Sequence, residues 1–84
     1  MWKLIDYYDI WTDEEGNAGV NDVREFDITL SENPTDQEIL NALYNMEYLK
    51  TNDMSKFMIV WQDDNWCEIS TADEDMPICR VVKE

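Results

Sequence analysis

The chain has 84 residues, of which 20 are Asp or Glu, 6 are Lys or Arg and none is His, giving a formal charge of −14 at pH 7. One domain, residues 1–84, fits that length, and with 44% hydrophobic and 12% aromatic residues the chain can build a core. The charge excludes a direct grip on DNA, RNA or an anionic membrane, each of which needs Lys and Arg against phosphate; it points to a basic protein partner, or to solubility alone.

Trp2 to Trp11 reads as a strand, rich in Ile, Tyr and Trp. Trp2, Leu4, Tyr8 and Ile10 share one face, interrupted by Asp6; Ile5, Tyr7 and Trp11 share the other with Lys3 and Asp9. One Lys followed by Asp6 and Asp9 is no signal peptide, and no apolar stretch is long enough to span a bilayer. The expected location is the cytoplasm of a bacterial host.

Thr12 to Gly19 is polar and carries both glycines, which is loop chemistry. Val20 to Leu30 alternates again, with Phe26, Ile28 and Leu30 on one face. The two strands are expected to form a hairpin with a long acidic loop. Ser31 to Thr35 breaks the pattern, since Pro34 cannot continue a ladder. Thr35 and Glu38 match a capping box. Ile39, Leu43 and Met46, with Leu40 and Leu49, recur at helical spacing and predict a helix from about Asp36 to Leu49. Thr51 to Ser55 is a loop.

Lys56 to Gln62 is the strongest strand. Its run of Phe57, Met58, Ile59, Val60 and Trp61 predicts a central strand covered on both faces. Asp63-Asp64-Asn65 is a tight turn, Trp66 to Ser70 returns, Thr71 to Asp75 is a second acidic turn, and Pro77 to Lys83 is the last strand. The order ββαβββ predicts an α+β fold, a single antiparallel sheet with one helix packed on one face.

Catalytic motifs are missing. Cys67 and Cys79 lack the C-x-x-C spacing and have no His to assist, which argues against zinc, redox or nucleophilic roles. If the last two strands turn about Asp73, the cysteines face each other as buried thiols. A disulfide is open to them geometrically but disfavoured in a reducing cytosol. Gly16 and Gly19 are too few for a phosphate loop, and a calcium loop counted back from Gly16 would start on Trp11. Paired carboxylates need a deep cleft that so small a sheet hardly offers. No catalysis, metal or cofactor is expected.

The acids are clustered instead. Asp13, Glu14 and Glu15 lie in the first loop with Asp22 just beyond; Asp63 and Asp64 form one turn and Asp73, Glu74 and Asp75 another. Between Leu4 and Leu49 the only base is Arg24. A chain of this length spans roughly 30 Å, and duplex DNA of that length carries on the order of 18 charges. Such a body suits the basic groove of a nucleic-acid-binding protein. Trp11, Trp66 and Tyr48 are candidate anchors that could stack on a partner's Arg.

Asp9-Ile10-Trp11, Gly16, Val20-Asn21-Asp22 and Thr35-Asp36-Gln37-Glu38-Ile39 with Leu43 together resemble small proteins encoded by bacteriophages and mobile elements of Gram-positive bacteria. The resemblance covers the first half of the chain, and its motifs are structural. In size and charge the chain is also similar in kind to phage-encoded inhibitors such as anti-CRISPR proteins and the uracil-DNA glycosylase inhibitor. That likeness implies inhibition of a defence protein, with a CRISPR effector as the leading target, by DNA mimicry. The alternative is a small interaction adaptor or homodimer, whose sheet edge adds a partner's strand.

Overall fold

A computed structural model describes the backbone of residues 1–84 and every side chain except those of Tyr8, Asp9 and Ile10. β1 (Trp2–Thr12) and β2 (Ala18–Ile28) form the first hairpin, α1 (Asp36–Asn45) crosses the sheet, and β3 (Phe57–Asp63), β4 (Trp66–Thr71) and β5 (Pro77–Lys83) complete it. The fold is α+β. All neighbours are antiparallel, in the order β2-β1-β5-β4-β3. The chain therefore leaves one edge after β2, reaches the far edge at β3, and meanders back until β5 closes against β1.

Alternation decides which face the helix covers. Trp2 and Leu4 of β1, Cys67 and Ile69 of β4, and Cys79 and Val81 of β5 point to one side and are buried against Ile39, Leu40 and Leu43 of α1. Each side chain so buried contributes about 1.5–3 kcal/mol. Trp2 and Trp61 meet edge to face, with centroids 6.2 Å apart. The Trp61 indole N–H donates to Asp36 Oδ1 at 2.9 Å, and the Trp2 indole N–H donates to the Ser31 carbonyl at 3.1 Å, fixing the start of α1 and the segment before it.

The helix begins where the capping residues place it. Thr35 Oγ1 accepts from the Glu38 N–H at 3.1 Å. Glu38 reaches back to Ser31 rather than to Thr35, accepting from the Ser31 N–H and Oγ–H, each at 2.7 Å. These bonds hold the Glu38 carboxyl below its usual range, the backbone bond most strongly. The helix ends at Asn45, short of the expected Leu49. Glu47 turns left-handed at φ 64°, the Glu47 N–H donates to the Tyr44 carbonyl, and the Tyr48 N–H donates to the Leu43 carbonyl. This is a Schellman ending with Glu where Gly is usual. It turns Leu49 into the core.

Three further expectations are corrected. The hairpin loop is short, residues 13–17, because β1 runs on to Thr12 and β2 already begins at Ala18, leaving Asp13, Glu14 and Glu15 in the loop. Cys67 lies opposite Val81 and Cys79 opposite Ile69, so the cysteines share a face without facing each other. The turn, together with a register shift between Ile69 and Ser70, displaces the pairing from the symmetric one, and both thiols are free and buried. Burial pushes the Cys67 thiol up to about 12 and also raises that of Cys79. Finally, β3 is an edge strand, not a central one. Its apolar run covers α1 on one side and leaves Met58 and Val60 exposed on the other.

Candidate partner-binding surface

The distal half of the first hairpin is an arm. β1 pairs with β5 only from Trp2 to Asp6, whereas its pairing with β2 continues to Thr12, across register shifts between Tyr7 and Ile10. The molecule is correspondingly elongated, 40 Å along its longest axis. Trp11 packs on Gly19 directly opposite; a Cβ at Gly19 would sit 2.6 Å from three atoms of the indole. Gly19 is therefore needed for close approach.

At the arm tip Asp13 is committed to its own loop. Its Oδ1 accepts from the Glu15 and Asn17 N–H groups at 3.0 and 2.8 Å, and its Oδ2 accepts from Asn17 Nδ2 at 3.1 Å. The Asn17 backbone and side-chain bonds do most to hold its carboxyl below the usual range. Gly16, at φ 86°, closes the loop. Glu14 and Glu15 are exposed. Asp63 Oδ1 likewise accepts from the Asn65 N–H at 2.6 Å, while Asp64 stays exposed. Asp75 adopts φ 51° in the turn that also exposes Asp73 and Glu74. Asp22 is exposed too, with Oδ1 accepting from the Val23 N–H at 2.9 Å.

The antiparallel register sends the acidic turns to two ends. The β4–β5 turn and the arm lie toward one end, beyond the Asp6–Cys79–Ile69 row. The Asp63–Asn65 turn lies at the other, where the Lys83 N–H donates to the Asn65 carbonyl beside the chain termini. The candidate carboxylates thus mark both ends of the long axis rather than one patch.

The three candidate aromatics differ in placement. Trp11 is 42% exposed on the arm. Trp66 is half-buried and already carries a cation from this chain, the Arg80 guanidinium 5.9 Å from its ring centroid. Tyr48 packs against the core. Its hydroxyl donates to Asp6 Oδ1 at 2.6 Å and lies 3.3 Å from the Ile78 carbonyl, so it serves the fold rather than the acidic surface. Burial, then the Asp6 bond, raises its pKa.

Two polar clusters escaped the sequence reading. Asp6, 8% exposed, accepts from Tyr48 and from Arg24 Nε and Nη2 at 3.2 and 2.8 Å. An acid on an apolar strand face, opposite the only base in a long stretch, was the available signal. On the uncovered face, Tyr7 donates to Glu68 Oε2 at 2.8 Å, and Glu68 lies opposite Arg80, whose Nε is buried without a hydrogen-bond partner. Burial and then Glu68 raise the Tyr7 pKa.

Among the described residues no three of His, Cys, Asp or Glu converge to hold a metal, and no helix is long and apolar enough to cross a membrane. A cleft of about 580 Å³ between the β4–β5 turn and residues 51–57 has Lys56 and Asp73 as its charged lining. Comparison with protein-family models, curated proteins and solved structures finds no match to the chain.

Proposed function

We propose that the protein is an acidic phage-type inhibitor. It occupies the basic nucleic-acid groove of a bacterial defence protein in the host cytoplasm, a CRISPR effector in the first instance, and blocks it by DNA mimicry. The observation that supports this is outward display of the charge. All nine candidate carboxylates are exposed. Among the bases, Lys3 lies 3.6 and 3.7 Å from Glu25 and Glu84, and Arg24 lies 2.8 Å from Asp6. Arg80 and Lys83 lie over Trp66 and Trp2. Lys50 and Lys56 are exposed, Lys56 beside Asp73, so an approaching surface meets a large excess of carboxylate over ammonium at both ends of a 40 Å body. Duplex DNA of that length carries about 24 phosphates, so the net −14 is of the same order. Binding would release the partner's anions and be steered over a distance, as nucleic acid is. No bond is made or broken.

The test is capture of partners from bacterial lysate at low salt, followed by elution with rising salt or with duplex DNA. The expected result is a nucleic-acid-binding protein released by both. Reversing Glu14 and Glu15 together to Lys should weaken its binding about tenfold or more, 1.4 kcal/mol for each factor of ten. A partner indifferent to salt, to DNA and to reversals in every acidic turn would overturn the reading.

A further inference from the structure

The outer edge of β3 is bare. Its only strand partner is β4; the Phe57 N–H donates to the Met54 carbonyl in the turn just before the strand, and among the described residues no backbone hydrogen bond from Met58 to Asp63 runs to another element. Proteins ordinarily guard such an edge with charge, proline or a bulge. β2, the opposite edge, is guarded in that way by Asp22, Glu25 and Asp27 and by a register shift. β3 has no charged residue or Pro from Phe57 to Gln62, and its one register shift lies at the far end of that run, between Trp61 and Asp63. Two of its side chains on the uncovered face, Met58 and Val60, are 37% and 53% exposed. A strand composed for burial thus stands at the rim of the sheet.

We propose that β3 pairs antiparallel with β3 of a second copy, joining two sheets across a two-fold axis at Val60. The charge pattern selects this occupant and this register. The apolar run is bounded by Lys56 at one end and by Asp63 and Asp64 at the other. An isologous pairing centred on Val60 brings Lys56, which ends the short turn before β3, toward Asp64 of the partner subunit in the turn after β3, twice over by symmetry. Val60 meets the partner's Val60, and Met58 meets the partner's Gln62. Directly opposed side chains of such a pair lie roughly 4.5–5.5 Å apart at Cβ. The uncharged run is also where two bodies of charge −14 can approach with least local repulsion. The remaining long-range repulsion is screened within about 8 Å at physiological ionic strength. The dimer should therefore strengthen as salt rises, the opposite of the behaviour expected with a basic partner. The inference is independent of the mimicry reading.

The experiment uses the purified chain alone. Sedimentation equilibrium over about 1 µM to 1 mM covers weak association. The expected result is a monomer–dimer equilibrium that shifts toward dimer between low and physiological salt. Val60→Lys should raise the dissociation constant at least tenfold while keeping the fold, since Val60 lies opposite Glu68 and the new ammonium gains an opposed carboxylate. Val60→Cys should cross-link under mild oxidation, whereas Val23→Cys on β2 should not; Cys67 and Cys79 are 0% exposed and stay silent. A chain that is monomeric throughout, a dimer indifferent to Val60→Lys, or equal cross-linking of both cysteine variants overturns the proposal. So does loss of binding to a basic partner in Val60→Lys when the free chain is a monomer, which would give the edge to that partner.

Discussion

The Tyr48 hydroxyl and the Asp6 carboxylate meet at 2.6 Å across 42 residues of sequence. This bond joins the segment after α1 to the first strand, at the row where β5 stops pairing with β1. It also explains how an acid can sit on the helix-facing side of β1. Asp6 is charged and nearly buried, and such a group is tolerated only when its oxygens are satisfied. Tyr48 serves one oxygen and Arg24 the other.

Tyr48→Phe should destabilise the fold by about 1.5–3 kcal/mol, the range for a hydrogen bond to a charged group. In urea unfolding the midpoint should fall with the slope unchanged. Arg24→Met should cost less, because the Arg24 side chain is 58% exposed and its ion pair is partly solvated. If the two variants rank the other way, Asp6 is held chiefly by Arg24.

Glu47 gives a prediction of opposite sign. It occupies the left-handed position of the Schellman ending at φ 64°, which costs an L-residue roughly 1–2 kcal/mol. Glu47→Gly removes that strain, offset by the greater freedom of Gly in the unfolded chain. The net expectation is stabilisation by about 0.5–1 kcal/mol, a rise in Tm of a few degrees. Glu47→Val should be destabilising, because a β-branched residue tolerates that backbone least. Thermal unfolding of the pair reads the sign directly.

The elements of local origin were legible in the sequence. Thr35 and Glu38 mark the start of α1, and alternation marks β2 through Phe26 and Ile28. What local pattern cannot carry is the partner across the sheet. A continuous apolar run such as Phe57 to Trp61 reads as central, because periodicity reports burial and not neighbours. Only the crossover by α1 sends it to an edge. The cysteine register is illegible for a related reason, as the turn and the register shift between Ile69 and Ser70 together move Cys67 two residues along β5, from Cys79 to Val81. Tyr48 reads as an exposed anchor because its polar partners, Asp6 and the Ile78 carbonyl, are remote in sequence. The acidic turns were plain in the composition, but their division between two ends is a property of topology.

Gly19 ties the arm to its own tryptophan. Gly19→Ala places a Cβ 2.6 Å from the Trp11 ring, so the indole must leave its seat. Trp11 lies beyond the part of β1 that pairs with β5, so the core should be little affected. The expected outcome is a change in near-ultraviolet dichroism and tryptophan emission with a loss of stability below about 1 kcal/mol. Emission identical to the parent protein would show that the ring does not rest there in solution.

Charge sets the last expectation, and two effects oppose each other. At pH 7 the chain repels itself through its −14 charge, so added salt should raise Tm, by roughly 4–8 °C for each kcal/mol of repulsion removed. Lowering the pH relieves the same repulsion as exposed carboxylates protonate toward the pI of 4.1. Asp13, Glu38 and Asp53 act in the other direction. Each is held below its ordinary value by hydrogen bonds from its own loop or cap, Asp53 chiefly by the Ser55 N–H. A depressed carboxyl contributes stability above its unfolded pKa, 3.8 for Asp and 4.5 for Glu here, and loses it as pH falls through the lower folded value. Stability should therefore rise from pH 7 to about pH 5 and fall below about pH 4, and the benefit of salt should fade near the pI. Thermal melts across that range at low and high salt would show it; a monotonic fall from pH 7, equal at both salts, would remove self-repulsion from the account.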